Sequence, residues 1–547
     1  MWGLLILELA LTWLGLNLVS LHYIHMLQLE SYQPDGYMRH LMRYRAEWQG
    51  VTLLTGAVCL AAQLILPTII FPLFTGERVY SMIISRVLIM AFYAFMCGRE
   101  GYRFFTAKPK KPLVYTKRCK RLIAANAAVT LLCVALLALI VARFDSSDRQ
   151  TMLMWVSPMA LIAALPFIVY LSSRAILPVE NGINEGYKRA AREKLAKNPK
   201  LVKVAITGSF GKTGTKYALG TILEGKYKTY ISPGSTNTPM GLCTVINNRM
   251  PGDAQVFLAE MGSRHVGDIK ELTQIVAPDI ALITSVGAQH LETFGNVETV
   301  AKAKYELIEA LGKKGRAFFA SDGAFVDKMY EKAPCRKFLS GLENPACDMW
   351  AENIETGAFG SRFELVTKDG QRQACETEIL GRHNLSNVVL SALAAREMGL
   401  SLEEISAGIS RLKPVEHRLQ LIKGDINVLD DAFNSNPVGA KEALRILSCF
   451  PGKHLVVTPG FVEMGADEEK YNFELGGQIA QYCDAAILVG RKHTAPILKG
   501  LIKAGFDRGS VIQVDSLDEG SRRIREFISS GDAVLFENDL PDNYNEN

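Results

Sequence analysis

The chain has 547 residues, 48% of them hydrophobic and 21% charged, with a mean hydropathy of +0.11. That composition excludes a disordered chain and implies that apolar residues are unevenly placed. The net charge is only +5, from 61 basic and 56 acidic residues, which excludes a dedicated nucleic-acid binder; ten cysteines without a C-x-x-C pair exclude a disulfide scaffold and a zinc ribbon.

Apolar residues crowd into the first third. Leu4–Leu29, Val51–Phe74, Val79–Cys97, Leu122–Ala142 and Met152–Leu171 are each close to the ~20 residues that cross a bilayer. They predict an α-helical transmembrane domain of about five spans over residues 1–172. The first run lacks a small-residue cleavage site and reads as an anchor. Basic residues set the orientation. Ser31–Gln49 holds three Arg and Gly98–Arg121 nine Lys and Arg, whereas the alternate loops hold only Arg78, Arg143 and Arg149. The N-terminus is therefore expected outside, and everything after Leu171 in the cytoplasm of a multi-pass membrane protein. Glu8 and Arg86 fall inside spans, where polar residues mark either a pathway or a pair. Residues 173–200 form a basic linker carrying Lys188, Arg189, Arg192, Lys194 and Lys197. It reads equally as a solvated helix or as one lying on anionic membrane lipids.

From Leu201 the pattern changes to short strands alternating with amphipathic helices, as in an α/β sheet. The strand Leu201–Thr207 runs into Gly208, Ser209, Phe210, Gly211, Lys212, Thr213 and Gly214, and a helix over Tyr217–Leu223 follows. Strand, glycine turn and helix N-terminus make an anion cradle. Lys212 is expected to reach the β- and γ-phosphates of ATP, and the Thr213 hydroxyl to hold Mg²⁺. The spacing G-x-x-G-K-T is two residues shorter than the usual phosphate loop. The next strand, Gln255–Ala259, delivers Glu260 to the crevice edge of the sheet, as a candidate Mg²⁺ ligand. Ile280–Ser285 delivers His290, either a ligand or a structural histidine, and Lys302 and Lys304 lie on the helix that follows.

The segments GSFGKTGTK, AEMGSRHVGDI, SVGAQHLETFGNVETVAKAKYELI, GRHNLSNVVLSALAA and DDAFNSNPVGAKEAL occur in the order seen in Mur ligases. The resemblance covers about Leu201–Gly490 and is closest to the branch that adds D-alanyl-D-alanine to a muramoyl tripeptide. It implies a central ATP-binding P-loop domain over 201–414 and a C-terminal Rossmann-like α/β domain over 415–547, hinged at Lys413-Pro414-Val415. It also implies ATP-dependent amide-bond formation. An acceptor carboxylate takes the γ-phosphoryl group as an acyl phosphate, and an amino-acid or dipeptide amine then displaces phosphate. By resemblance, Thr213 and Glu260 hold one Mg²⁺, and His290 with Lys304 helps to hold a second. The family lysine matching Lys304 carries a carbamate; Lys302 is the solvent-facing one. Asn384 and Asn387 match adenine-side asparagines, and Arg418 matches an arginine approaching the phosphates. Asp431 matches the acid on ribose, and Asn237 a segment near the acceptor carboxylate. Asn434 and Asn436 are expected to shape a loop.

This sequence departs from the family in three places. Membrane spans stand where the UDP-sugar domain is expected. The usual G-D-M-x-E-L-G appears as Thr458-Pro-Gly-Phe-Val-Glu463-Met-Gly465. The terminal K-G-S-R run is replaced by Phe536-Glu-Asn-Asp-Leu-Pro-Asp-Asn-Tyr544. The leading expectation is therefore a membrane-tethered carboxylate–amine ligase acting on a cell-wall precursor, UDP-linked or lipid-linked. The alternatives are a ligase for another γ-linked or poly-amino-acid polymer, and a non-catalytic nucleotide sensor.

Overall fold

The computed structural model describes residues 2–43, 78–107, 111–143, 147–433, 435–462, 464 and 467–539. The chain divides into two compact units, Met1–Ile183 and Asn184–Asn547.

The first unit is helical: α1 (Trp2–Leu29), α2 (Pro34–Arg43), α3 (Arg78–Thr106), α4 (Lys117–Ala142) and the start of α5 (Ser147–Ala196). Its core gathers Leu16, Tyr23, Ile24, Leu41, Ile162 and Val169. Among the described residues three helical stretches are long and apolar enough to cross a membrane: Leu5–Leu29, Lys117–Ile140 and Ala160–Ala196. The expected run Val51–Phe74 lies outside the described residues, and Val79–Cys97 lies within α3. Polar groups inside the bundle pair with one another, because a polar group buried away from water is costly unless it has a partner. The Asn17 amide donates to Thr130 Oγ1 at 3.1 Å, the Asn126 amide to Ser20 Oγ at 3.0 Å, and Ser172 Oγ to Asn126 Oδ1 at 3.3 Å. Arg121 grips the buried Glu180 carboxylate with two hydrogen bonds, 2.5 and 2.8 Å long.

Residues 173–196, read from sequence as part of a linker, are helical throughout and belong to α5. Of the five basic side chains from Lys188 to Lys197, three are engaged by protein. Lys188 pairs with Glu271 at 2.7 Å, Arg192 with Glu185, and Lys194 donates to the Met250 carbonyl at 2.8 Å. Arg189 and Lys197 are exposed.

The second unit holds two sheets. The strands of the first are β1 (Val202–Thr207), β2 (Thr229–Ile231), β3 (Val256–Glu260), β4 (Ile280–Ile283), β5 (Arg316–Ala320), β6 (Arg336–Leu342), β7 (Met349–Gly357), β8 (Gly360–Thr367) and β9 (Arg372–Thr377). Their order is β2-β3-β1-β4-β5-β6-β7-β8-β9, parallel up to β7 and antiparallel from β7 to β9. The central strands β3 and β4 are buried along their whole length because helices cover both faces. The helices that matter for the site are α6 (Lys212–Leu223), α7 (Pro239–Asn248), α8 (Asp268–Val276), α9 (Val297–Leu311) and α10 (Arg382–Glu397).

The second sheet comprises β10 (Gln420–Ile422), β11 (Asn427–Asp431), β12 (His454–Thr458), β13 (Ala485–Val489), β14 (Val511–Val514) and β15 (Ala533–Glu537). Its order is β10-β11-β15-β12-β13-β14, with only β10 antiparallel. The chain therefore returns to place its last described strand between β11 and β12. This arrangement opens a crevice beyond the carboxyl ends of those strands.

Candidate active site

The phosphate loop is shaped by close approaches. A Cβ on Gly208 would lie 1.9 Å from Thr284 Oγ1, and one on Gly211 2.3 Å from Asn387 Oδ1. Gly211 also has φ +82°, in the left-handed region that glycine enters without strain. It stands at the N-terminus of α6 and supplies no side-chain cap, so the first amides of that helix stay available to an anion. Ser209 fastens the loop to the segment that follows β4, donating from its hydroxyl to the Gly287 carbonyl at 3.2 Å.

Lys212 folds over this loop, its Nζ donating to the Gly208 and Ser209 carbonyls at 2.9 Å each. Burial lowers its pKa to about 8; Glu260 opposes the shift and Arg418 adds to it. One residue on, Thr213 Oγ1 donates to Glu260 Oε2 at 2.9 Å. Asn237, just ahead of α7, donates to Glu260 Oε1 at 3.0 Å. The Lys216 ammonium, one turn into α6 and fully buried, lies 3.3 Å from Glu260 Oε2 and also donates to the Gly234 carbonyl. Burial alone would push the Glu260 carboxyl up. The Lys216 and Lys212 charges and the two hydrogen bonds outweigh it and leave Glu260 below the usual carboxylate range. The group is thus a fixed buried anion at the end of β3, beside the phosphate loop.

Lys304, on α9, is buried and donates to Ser263 Oγ at 2.7 Å. Burial, with the Lys212 charge adding, holds it well below the usual lysine range, while Asp268 and Glu306 oppose. Lys302 is exposed on the same helix. His290 has φ +51° and precedes a single helical turn, Leu291–Phe294, whose first free amides its carbonyl accepts.

From α10, Asn387 reaches the loop at Gly211, whereas the Asn384 amide turns back to the Leu380 carbonyl at 2.9 Å. The second sheet contributes from across the crevice. Arg418 stacks on Phe433 with its guanidinium carbon 4.6 Å from the ring centre. Burial lowers its pKa, and the nearby charges of Glu260 and Asp431 counter that shift. It therefore faces a carboxylate from each sheet. Asp431 accepts the Leu419 amide at 2.9 Å, and burial raises it to about 6. Asn436 caps the helix Pro437–Leu447 through the Val438 and Gly439 amides, while Asn434, Glu463 and Gly465 lie outside the described residues.

Among the described residues no three His, Cys, Asp or Glu cluster as a metal cage. One carboxylate and one hydroxyl beside a phosphate loop suit Mg²⁺, which keeps much of its shell for water and phosphate oxygens. These residues fit that ion bound together with a nucleotide.

Residues 206–395 match the Mur ligase middle domain, and residues 417–537 the Mur ligase glutamate ligase domain. A UDP-N-acetylmuramoyl-tripeptide–D-alanyl-D-alanine ligase of Escherichia coli (strain K12) is 31% identical over 315 residues, 56% of this chain and 69% of that protein. The chain belongs to the Mur ligase family. The Bacillus subtilis (strain 168) ligase of the same name is 29% identical over 338 residues, covering 61% of this chain and 72% of that one. The crystal structure of a MurF ligase from Thermotoga maritima in complex with ADP superposes with a TM-score of 0.58 at 25% identity. It covers 65% of this chain and 80% of the other.

Two members of this Mur ligase site escaped the reading of the sequence. Lys216 sits inside the quoted GKTGTK segment, and its helical spacing from Lys212 was the available signal. Ser263, which holds Lys304, follows the Glu260 strand by three residues, but nothing local ties it to α9.

Proposed function

We propose that this chain is an ATP-dependent carboxylate–amine ligase of cell-wall synthesis, working in the manner of the D-alanyl-D-alanine-adding enzymes that it resembles. The observation that carries the reading is the convergence on Glu260 of Thr213, Asn237 and Lys216, directly behind the Lys212 phosphate loop. Lys212 and the α6 amides hold the polyphosphate, and Arg418 closes on it from the second sheet. Asn237 orients the acceptor carboxylate, Asn384 and Asn387 border the adenine side, and Asp431 takes a ribose hydroxyl. Mg²⁺ at Thr213 and Glu260 supplies charge neutralisation between carboxylate and phosphate, the main electrostatic obstacle to this reaction. His290 and Lys304 form the second metal position, with Lys304 as a carbamate. Its buried, weakly basic amine supports that reading, because carbon dioxide adds only to an uncharged amine.

The same reading puts the five apolar runs across the membrane, the N-terminus outside, and the domains 201–414 and 415–547 in the cytoplasm. Three apolar helices favour a further version in which the acceptor is lipid-linked, because a membrane-bound enzyme meets such an acceptor at high effective concentration. The test uses the full-length protein in bilayers with ATP, UDP-N-acetylmuramoyl-tripeptide and D-alanyl-D-alanine. Acceptor-dependent ADP release and a product of the combined mass are expected. ADP release that ignores both acceptor and amine would refute the ligase reading. Equal rates on lipid-linked and soluble acceptors would remove the lipid-linked version alone.

A further inference from the structure

Two carboxylates stand side by side at the carboxyl end of the second sheet. The parallel register of β11 and β15 sets Asp431 opposite Glu537. Side chains at one register of adjacent strands leave on the same face. Glu537 is fully buried. The Ser435 hydroxyl donates to its Oε1, but its Oε2, also buried, accepts nothing from the described residues. Asp431 is half-buried at the crevice, holds the Leu419 amide and has Arg418 near it.

Among the described residues the surroundings offer Glu537 no cation. From β11 it faces Asp431, with Asp430 and Arg418 beyond. On the β12 side the register runs from Val457 opposite Phe536 toward Thr458, which is uncharged. The Asn538 amide is already spent on the Gly460 carbonyl. Two adjacent carboxylates, only one of them beside a guanidinium, cannot both stay ionised away from water. An orphaned carboxyl oxygen beside a carboxylate is satisfied once it carries the proton itself.

We propose that Glu537 is held protonated and donates its Oε2 hydrogen to Asp431, acting as a positioning residue that aims the Asp431 carboxylate into the crevice. This rests on the reading of Asp431 as the ribose acceptor. The division of charge agrees: burial, with Asp431 adding, pushes Glu537 well above the usual carboxyl range. Asp431 rises less, held back by the Leu419 amide and Arg418. The proton stays on the deeper group and the charge on the one that meets ligand.

The test uses full-length protein in detergent micelles, with ADP as the probe. The infrared difference between wild type and Glu537→Gln at pH 7 should contain the carbonyl stretch of a protonated carboxylic acid, shifted in heavy water. Glutamine keeps both the donor and the acceptor, so Glu537→Gln should bind ADP within about twofold of wild type. Glu537→Met keeps the volume but lacks the donor, and should bind about tenfold more weakly, the scale of one misdirected hydrogen bond. Absence of the protonated band would overturn the proposal. So would a glutamine variant that loses as much affinity as the methionine one with an unchanged melting midpoint. If the methionine variant does not fold, the band and the glutamine variant still decide. Undiminished ADP binding by Asp431→Asn would instead remove the ribose reading of Asp431, with the proton band left standing.

Discussion

Replacing Lys216 with methionine should destabilise the catalytic unit far more than an ordinary lysine substitution. The ammonium is fully buried, 3.3 Å from Glu260 Oε2, and is the nearest cation to that carboxylate. Removing one member of a buried ion pair leaves the other charge stranded, at a cost of about 3–5 kcal/mol. Glu260 keeps hydrogen bonds from Thr213 and Asn237 at 2.9 and 3.0 Å and still senses the Lys212 charge. The loss should therefore fall near the lower bound, about 3 kcal/mol. Urea unfolding of the full-length protein in detergent, followed by circular dichroism, gives the midpoints for Lys216→Met, Glu260→Gln and the double variant. The chain has several domains, so the comparison is made within one double-mutant cycle rather than as absolute stabilities. The double variant should recover most of the loss, because neutral glutamine needs no counter-charge. The reasoning is refuted if Lys216→Met unfolds at the wild-type midpoint, or if the two changes add with a coupling below about 0.5 kcal/mol.

Gly211→Ala should abolish nucleotide binding, since its Cβ would meet Asn387 Oδ1 at 2.3 Å and its φ is +82°; calorimetry with ADP checks this. Lys212→Ala should lower turnover at saturating ATP by about 3 kcal/mol of transition-state stabilisation, roughly a hundredfold or more, in the ADP-release assay. The free protein should bind ADP less tightly as pH rises through about 8, because that is where the depressed Lys212 ammonium loses its proton; a flat profile between pH 7 and 9 would exclude that group. Lys304→Ala should abolish ligation while exposed Lys302→Ala leaves it intact, and bicarbonate should raise the turnover of wild type and of Lys302→Ala but not of Lys304→Ala.

The phosphate-loop strand and its neighbours were legible because a buried parallel strand is a continuous apolar run. Val202–Thr207, Val256–Glu260 and Ile280–Ile283 each lie within a residue or two of the expected bounds. Glu260 was legible for a topological reason, since it ends a strand at the crevice, whereas Asp431 was legible only through the family resemblance. Lys216 was not, since a lysine on an amphipathic helix reads as solvated until the strand carrying its partner carboxylate is in place. The pairing of Asp431 with Glu537 was hidden by more than a hundred residues of intervening chain, and only the return of β15 between β11 and β12 creates it. The linker was read in its helical form but not in its contacts. The Lys188–Glu271 pair depends on where α8 packs.

The polar contacts within the first unit also carry a parity rule. Asn17 meets Thr130 and Ser20 meets Asn126, so advancing along α1 means retreating along α4. The ties continue beyond the start of α4, from His25 to the Lys111 carbonyl and from Gln28 to the Val114 carbonyl, each at 2.8 Å. The two helices are antiparallel, and the Leu29 end of the first lies at the Lys117 end of the second. If both cross a bilayer, those ends share one side of it, and the chain between them must cross an even number of times. Cysteines introduced near Ser31 and near Tyr115 should accordingly react with an impermeant thiol reagent from the same side, whichever side that is. Sliding α1 by one helical turn would separate both of these amide and hydroxyl pairs inside the apolar bundle. The bundle therefore has a single register in which to settle.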